Sequence, residues 1–215
     1  MDNKAIENMR QDYRLAELDE SKLAEDPIDQ FSNWFDEAVA SAIEEPNAMT
    51  LATVDQFNQP DARIVLLKGV ESAGFIFFTH YTSVKGQQIA DNNNVALVFH
   101  WHELERQVRI KGTCTKLGET ASEQYFHQRP RKSQLGALAS PQSQSLSSRL
   151  ELEQRFNELE AQYTEGTMIP RPDSWGGYSV TPSVVEFWQG RRSRLHDRVQ
   201  YAYANQQWQK QRLAP

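Results

Sequence analysis

Hydrophobic positions follow two different spacings along the chain, one typical of a helix and the other typical of strands. Between Asp26 and Pro46 the apolar residues recur every three or four positions, which predicts a helix that begins at Pro27 and ends before Pro46. From Ala48 the pattern changes to short runs rich in β-branched and aromatic residues, which predict strands. These runs are MTLATV, ARIVLLKGV, GFIFFTH, NVALVFHWH and ERQVRIKGTCTKL, and a short helix around residues 82–92 interrupts them.

The second half of the chain combines helical segments with further short strands. Residues 119–129 have a helical pattern that Pro130 stops, and another helix is predicted over residues 147–163. A proline-rich connector then leads to strands near GYSV, SVVEFW, VQYAY and QWQKQRL. Because the pattern contains neither βαβ alternation nor a glycine-rich phosphate loop, we predict an α+β fold around a β-barrel. A nucleotide-type cofactor would then be held by side chains.

Composition narrows the class of protein. The chain has 215 residues, a formal net charge of −6 and a pI near 5.4, which argue against general nucleic-acid binding. Its one cysteine, Cys114, excludes an internal disulfide and a thiolate metal cluster, and we expect it to be a small buried residue. The polar N-terminus resembles no signal peptide, and the apolar runs are too short to cross a membrane. We therefore expect a cytoplasmic protein that binds no metal.

Basic side chains occur in two segments that suit anion binding. The run RIVLLK places Arg63 and Lys68 five residues apart, which puts them on opposite faces of an unbroken strand. Such a pair suits two different phosphates, although two strand ends that reach solvent would give the same pattern. Thr79 and Lys85 lie near the start of the short helix, where free N–H groups favour an anion. An ordinary capped helix is the alternative there.

The run HWHELERQV contains polar side chains within an apolar segment. His100 and His102 flank Trp101, but two histidines without a third ligand of clear spacing make a poor zinc site. Gln107 is of more interest, because it offers both a hydrogen-bond donor and an acceptor, as the edge of a heterocycle requires.

The run YFHQRPRKSQ concentrates further basic and hydroxyl groups. Tyr125, Arg129 and Ser133 are spaced four residues apart and would converge on one helix, but Pro130 argues against a continuous helix. Two interpretations remain open: a turn at Pro130 gathers the three side chains around a phosphate, or the segment is a solvated basic corner.

The run EFWQGRRSRLHDR joins a Glu-Phe-Trp segment to four arginines and a histidine in an acidic chain. Trp188 suits packing against an aromatic ligand, Arg194 and Arg198 suit its electronegative atoms, and His196 titrates near neutral pH. A planar, anionic ligand is one interpretation of this run. A charged surface hairpin is the other, although such a hairpin would be expected to contain more lysine and glutamate.

In their order and spacing, these motifs resemble those of the pyridoxine (pyridoxamine) 5'-phosphate oxidase family. The resemblance extends from Arg10 to the terminal RLAP, and it rests on RIVLLK, the segment around Thr79 and Lys85, WHELERQV, YFHQRPRKSQ, QSQS, SWGG and EFWQGRRSRLHDR. It implies an FMN-binding split β-barrel with flanking helices, which works as a homodimer with both active sites at the subunit interface. It also implies oxidation of pyridoxine or pyridoxamine 5'-phosphate to pyridoxal 5'-phosphate, with hydride transfer to FMN and reoxidation by dioxygen that yields hydrogen peroxide.

The resemblance also assigns roles to individual positions. The FMN-binding residues that it implies are Arg63, Ile64, Val65, Leu66, Leu67, Lys68, Phe78, Thr79, Lys85, Gln107, Gln142, Ser143, Trp188 and Arg198. The substrate-binding residues that it implies are Arg10, Tyr13, Lys68, Tyr125, Arg129, Ser133, Arg194 and His196. Of these, Arg194 and His196 are the predicted catalytic residues, because they would orient the pyridine ring against the flavin. No definite general base is assigned: His196 is a candidate, and positioning of the ring is the other role open to it.

One position departs from the family pattern. Family members usually have arginine immediately before the lysine of the FMN-phosphate segment, where this chain has Val84. Loss of one charge-assisted hydrogen bond, worth roughly 1.5–3 kcal/mol, would weaken FMN binding about ten-fold or more, unless a nearby residue substitutes.

The predicted organisation is one domain with an N-terminal arm. Residues 1–25 would form a mobile arm that closes over the substrate, and residues 26–215 a single FMN-binding domain. Arg191 and Arg192, in the spacer of the C-terminal run, are expected to be solvated. Two alternatives stay open: a split-barrel FMN protein that acts on another substrate, and a non-enzymatic carrier of flavin or pyridoxal phosphate.

Overall fold

The structure is a computed structural model that describes residues 3–9, 12–72 and 74–215. The strands are β1 (Ala48–Val54), β2 (Pro60–Leu66), β3 (Gly69–Glu71), β4 (Gly74–His80), β5 (Asn94–Trp101), β6 (Arg106–Lys116), β7 (Trp175–Gln189), β8 (Asp197–Ala204) and β9 (Gln207–Leu213). The helices are α1 (Asn3–Glu7), α2 (Pro27–Ala40), α3 (Val84–Asp91), α4 (Glu119–Gln128), α5 (Arg131–Ala139) and α6 (Arg149–Gln162).

Within the described residues, nine strands form one sheet. Its hydrogen-bonded order is β2-β1-β5-β6-β7-β4-β3, and β8 pairs with both β7 and β9. The first half of β7 pairs antiparallel with β4, and its second half pairs antiparallel with β8. The prediction of two separate short strands, GYSV and SVVEFW, is therefore wrong, because both belong to the continuous strand β7.

Local signals explain where α2 begins and ends. The Asp26 carboxylate accepts a hydrogen bond from the Ile28 N–H at 2.7 Å, and Pro27 occupies the first turn, where a missing N–H costs nothing. The helix ends at Ala40 rather than just before Pro46, because Ala42 adopts a left-handed φ of 54° that no α-helix continues through.

The chain divides into two compact units, of which the first comprises residues 1–50, 97–111 and 182–215. Its core is aromatic: the ring centroid of Phe31 lies 4.9 Å from that of Phe99, and that of Trp34 lies 5.1 Å from that of Phe187. Phe187 in turn packs edge-on against Tyr201. These contacts fix α2 against the strands of this unit.

The second unit comprises residues 51–96 and 112–181. Helices α4, α5 and α6 pack around Phe126, Leu135, Ile169 and Trp175, all of which are buried. Cys114 is also buried here, as predicted, and burial raises the pKa of its thiol to about 12. In the described part of the chain, none of the helices has the length and apolar character needed to span a membrane.

Candidate functional site

A cavity of about 820 Å³ lies in the second unit, and its volume is typical of small-molecule and cofactor sites. Many of the predicted site residues line it, although they come from β2, β4, α3, α4, α5 and the loops beside them. They are Arg63, Ile64, Val65, Leu66, Lys68, Phe78, Thr79, Lys85, Tyr125, Arg129, Ser133 and Gln142.

The cavity is strongly cationic. Arg63, Lys68, Lys85 and Arg129 line it, whereas the described lining includes no carboxylate. Hydroxyl and amide donors supplement these cations at Thr79, Tyr125, Ser133 and Gln142. This lining suits phosphate groups, which require several positive or neutral donors at once.

The predicted placement of Arg63 and Lys68 on opposite faces of one strand is wrong. Strand β2 ends at Leu66, and the Lys68 N–H then donates to the Ile76 carbonyl at 2.8 Å before β3 begins. Because the strand is interrupted between them, the two cations line the same cavity. Two phosphates remain compatible with this arrangement, but strand geometry does not separate them.

A hydrogen-bond network holds the Arg63 side chain in place. Its guanidinium donates to the Thr53 hydroxyl, to the Leu51 carbonyl at 3.3 Å and to Gln88 Oε1 at 3.1 Å. It also forms an ion pair with Asp61, and the Asp61 pKa is lowered overall, since Arg63 and hydrogen bonds outweigh the opposing effect of burial. The arginine is therefore oriented toward the cavity before any ligand binds.

Gln142 links Thr79 and Lys85, which line the same cavity. Its Oε1 accepts a hydrogen bond from the Thr79 hydroxyl at 3.0 Å and another from Lys85 Nζ at 3.2 Å. Burial, and then the charge of Arg63, lower the pKa of Lys85, and the opposing charge of Asp61 offsets this only in part. Val84, the residue that departs from the family pattern, is 44% exposed at the start of α3.

A turn at Pro130 gathers the predicted tyrosine, arginine and serine. Helix α4 ends at Gln128, and α5 begins at Arg131, with the Ser133 N–H donating to the Pro130 carbonyl at 2.8 Å. Of the two open interpretations, the turn is the one observed, since Tyr125, Arg129 and Ser133 all line the cavity.

Stacked aromatic rings support Arg129. The ring of Phe78 stacks on that of Tyr125 at 3.9 Å between centroids, and on that of Trp175 at 5.4 Å. The Arg129 guanidinium lies 4.7 Å from the Trp175 ring centroid, while its Nη1 atom is buried without a hydrogen-bond partner among the described residues. A buried cationic nitrogen without a partner costs free energy unless a ligand supplies an acceptor. The site is thus prepared for an anion.

His80 lines the same cavity, yet sequence reasoning did not select it. The residue is 7% exposed, and burial, followed by the charges of Lys85 and Arg129, lowers the pKa of its imidazole. It is therefore neutral at physiological pH and adds a polar group without adding charge. Its position directly after Thr79 was the available signal, but a lone histidine at the end of an apolar strand is not specific.

The first unit contains the C-terminal part of the predicted site. Trp188 on β7 is the cross-strand partner of Arg198 on β8. The Arg198 guanidinium makes a two-pronged ion pair with Glu186, at 3.1 and 3.0 Å, and donates to the Ala214 carbonyl at 2.8 Å. Glu186 is only 5% exposed, so this pair fixes the orientation of Arg198.

His196, Trp188 and Tyr13 form an aromatic cluster in the first unit. The His196 ring lies 4.7 Å from that of Trp188, and Tyr13 lies 5.6 Å from each of them. Gly190 permits this contact, because a Cβ atom at that position would come within 2.6 Å of the Tyr13 ring. Tyr13, which the resemblance assigns to the substrate, therefore lies beside His196.

The N-terminal segment, defined as residues 12–25, is bound to the first unit by specific hydrogen bonds. Glu105 accepts the backbone N–H groups of Arg14 and Leu15 at 2.8 and 3.0 Å, and Asp197 accepts that of Leu18 at 3.1 Å. The Tyr201 hydroxyl donates to the Ala24 carbonyl at 2.7 Å. The segment thus has a defined docked position.

Several predicted residues lie away from these clusters. Leu67 is 5% exposed and Ser143 is exposed, and neither lines the cavity of the second unit. Gln107 is half-buried on β6, and Arg194 is exposed in the turn before His196. Arg10 lies outside the described residues.

Two family models match this chain over most of its length. Residues 35–163 match the model described as pyridoxamine 5'-phosphate oxidase. Residues 175–215 match the model described as the pyridoxine 5'-phosphate oxidase C-terminal dimerisation region. The chain belongs to the pyridoxamine 5'-phosphate oxidase family.

Relatives within the pyridoxamine 5'-phosphate oxidase family cover nearly the whole chain. A pyridoxine/pyridoxamine 5'-phosphate oxidase of Acaryochloris marina is 53% identical over 211 residues, which are 98% of this chain and 96% of the relative. The protein of the same name from Salinibacter ruber is 51% identical over 212 residues, which are 98% of this chain and 99% of the relative.

Solved structures show the same fold. PhzG from Burkholderia lata, in complex with tetrahydrophenazine-1-carboxylic acid, superposes with a TM-score of 0.89 at 27% identity, over 95% of this chain and 100% of its own. A pyridoxamine 5'-phosphate oxidase-related, FMN-binding protein from Nostoc punctiforme superposes with a TM-score of 0.71 at 16% identity. The superposition covers 90% of this chain and 100% of that protein's chain. The split β-barrel predicted from the sequence is therefore confirmed.

Proposed function

We propose that this chain is an FMN-dependent oxidase that converts pyridoxine 5'-phosphate or pyridoxamine 5'-phosphate to pyridoxal 5'-phosphate. The relatives that share half of its sequence carry the name of this activity. The observation that carries the proposal is the cationic cavity, in which Arg129 presents a buried nitrogen without a partner among the described residues. An enzyme whose cofactor and substrate both bear phosphate needs such a cavity.

The residues present fit FMN. Arg63 and Lys85 would bind its phosphate, with Thr79 beside them, since the first is held in place by its network and the second is a cation whose pKa burial lowers. Trp188, Arg198, Gln107, Gln142 and Ser143 would contact the rest of the cofactor. When bound, FMN supplies the acceptor for the hydride that leaves the exocyclic carbon of the substrate.

The substrate phosphate would bind at the turn between α4 and α5. Arg129 offers a planar pair of donors, Lys68 adds a second charge, and Tyr125 and Ser133 add hydroxyl groups. Arg194 and His196 would orient the pyridine ring, because a planar ligand in a fixed position reaches the transition state at a lower entropic cost. Arg194 would also stabilise charge that develops on the hydroxyl oxygen attached to the pyridine ring.

We further propose a homodimer whose active sites lie at the subunit interface. The match of residues 175–215 to a dimerisation region supports the dimer. Residues 1–25 would act as an arm that closes over the substrate, with Arg10 and Tyr13 in contact with it. The overall reaction consumes one dioxygen and releases one hydrogen peroxide, and the amine substrate also consumes water and releases ammonia. A cytoplasmic location remains a prediction.

Anaerobic reduction tests the proposed function. The purified protein should carry a yellow flavin, and either phosphorylated substrate should bleach its absorbance when dioxygen is absent. Readmitted dioxygen should restore the colour and produce hydrogen peroxide in equal amount to pyridoxal 5'-phosphate. A bound flavin that stays oxidised with both substrates would refute the oxidase assignment and favour a carrier or another substrate.

Unphosphorylated pyridoxine is the matched control in this assay. Since it lacks the group that Arg129 and Lys68 would bind, it should bleach the flavin only at far higher concentration. Equal bleaching by both compounds would show that the cations of the cavity do not recognise the substrate phosphate.

A further inference from the structure

One of the two ring nitrogens of His196 already has a hydrogen-bond partner. The backbone N–H of Arg191 donates to His196 Nδ1 at 3.1 Å. An N–H group cannot accept a hydrogen bond, so Nδ1 must carry its lone pair toward Arg191. The proton of a neutral imidazole then has to be on Nε2.

Ion pairs fix the backbone that donates this hydrogen bond. Arg191 Nη1 lies 3.1 Å from the Asp197 carboxylate, and Nη2 lies 2.9 Å from that of Glu17 in the N-terminal segment. The expectation that Arg191 is merely solvated is therefore wrong. Asp197 also pairs with Arg212 at 2.7 Å, so one of the two carboxylates bound to Arg191 is itself held.

The turn itself adds to this constraint. Ser193 and Arg194 both have left-handed backbone conformations, with φ of 56° and 61°, which bring the chain back so that His196 faces the Arg191 N–H. The contacts of the His196 ring with Trp188 and Tyr13 limit its rotation. The aromatic contacts and the hydrogen bond from Arg191 thus favour the same orientation of the imidazole ring.

We propose that Arg191 is a positioning residue that fixes His196 as the neutral tautomer with its proton on Nε2. His196 then acts on the substrate ring as a hydrogen-bond donor and does not accept a proton from it. This inference rests on the proposed function, which assigns His196 to the substrate, and it decides between the two roles that the sequence leaves open for this residue.

The alternative tautomer conflicts with the geometry. A general base at Nε2 requires the proton on Nδ1, which would place two N–H donors against each other and leave the Arg191 N–H without a partner. Burial, and then the charge of Arg194, lower the pKa of His196, which further favours the neutral ring. The carboxylates nearby, Glu17 and Asp197, are paired with Arg191.

Nitrogen NMR of the FMN-loaded protein tests the tautomer without any turnover. With ¹⁵N-labelled histidine, and with His196→Gln to assign the signal, Nε2 should show the shift of a protonated nitrogen and Nδ1 that of an unprotonated one. The reverse pattern would overturn the proposal. Because the measurement needs no substrate, it is independent of whether the wild-type flavin is bleached in the oxidase assay.

Two variants of His196 test its role in catalysis. Glutamine places an amide N–H near the Nε2 position, whereas asparagine reaches only the Nδ1 position. We expect His196→Gln to retain kcat within about ten-fold with an unchanged pH profile, and His196→Asn to lose more. Loss of about 10²–10⁴-fold in both, with disappearance of the acidic limb of the kcat profile, would identify a general base and overturn the proposal.

Arg191→Met tests the positioning role, with the exposed neighbour in Arg192→Met as its matched control. Arg191→Met should broaden or shift the His196 nitrogen signals and lower kcat several-fold while FMN stays bound. Arg192→Met should change neither quantity. Equal spectra for the two variants would show that the Arg191 ion pairs do not hold the tautomer.

Discussion

Replacing Arg129 by methionine separates the contribution of this residue to ligand binding from its contribution to folding. Its guanidinium lies over Trp175, and its Nη1 is buried without a partner among the described residues. Methionine fills similar space and brings no charge. The two effects should therefore have opposite signs: weaker binding of phosphorylated substrates, and an apo protein that is no less stable.

The sizes of these effects follow from the contacts. Loss of a charge-assisted hydrogen bond to phosphate costs about 1.5–3 kcal/mol, which is roughly a 10- to 150-fold increase in KM. Removal of an unpaired buried donor recovers about 1–3 kcal/mol of folding stability, whereas loss of the stacking on Trp175 costs about 0.5–2 kcal/mol. We expect the free energy of unfolding of the apo protein to stay within about 1 kcal/mol or to increase.

Arg131, two residues away, provides the matched control. It does not line the cavity, and its guanidinium donates to the carbonyls of Tyr163, Thr164 and Thr167 at 2.6–2.8 Å. Arg131→Met should lose about 1–2 kcal/mol of stability, a fall in Tm of roughly 2–8 °C, with KM unchanged.

Steady-state kinetics with both substrates and thermal unfolding of the two apo variants measure these quantities. The reasoning is refuted if Arg129→Met unfolds at a clearly lower temperature than wild type while its KM stays normal. That result would mean that Arg129 serves the fold through contacts that methionine does not replace, and that another cation binds the phosphate.

Three further predictions concern the cofactor. Val84→Arg should lower the Kd of FMN about ten-fold in a fluorescence titration. The same change at the exposed Val39 should leave this Kd unchanged. Equal Kd values for the two variants would mean that the phosphate does not lie near α3. Because burial lowers the pKa of Lys85, its charge is lost at lower pH than that of free lysine, so FMN affinity should fall as pH rises through that pKa. Lys85→Arg should remove this decline, and titrations from neutral to alkaline pH measure it; a parallel decline in the variant would assign it to another group. Glu186→Gln leaves the charge of Arg198 without its buried partner, so urea unfolding should show a loss of about 3 kcal/mol and FMN dissociation should accelerate. Unchanged unfolding and dissociation would contradict the role given to this ion pair.

The sequence predicts those parts of the fold that short-range signals determine. The signals for these parts lie within a few residues of the element that they determine. They are the capping aspartate and the proline at the start of α2, the alternating and aromatic runs of the strands, and the pattern of the helix near residue 84. The helix break at Pro130 is of the same kind, because proline blocks a continuous helix locally. The sequence leaves open whether a turn there gathers Tyr125, Arg129 and Ser133. For these elements the structure agrees with the pattern.

The features that sequence reasoning missed depend on long-range contacts. The strand predicted over ARIVLLKGV is interrupted because Lys68 and Gly69 pair with Ile76. No residue pattern within the run predicts this pairing. Likewise, Arg191 sits in a spacer without a recognisable pattern, and its partners Glu17 and Asp197 become visible only when the chain is folded. Motif order identified the candidate residues, but not which of their neighbours orient them.

The cations that line the cavity couple the folding of this protein to the supply of its ligands. Arg63, Lys68, Lys85 and Arg129 line one cavity in the folded chain, and the unfolded chain has no such cavity. A ligand that binds only the folded form stabilises it by mass action, by about 2.7 kcal/mol when its free concentration is one hundred times its Kd. Cellular abundance of the enzyme should thus rise and fall with FMN, and a phosphate buffer should protect the apo form during purification.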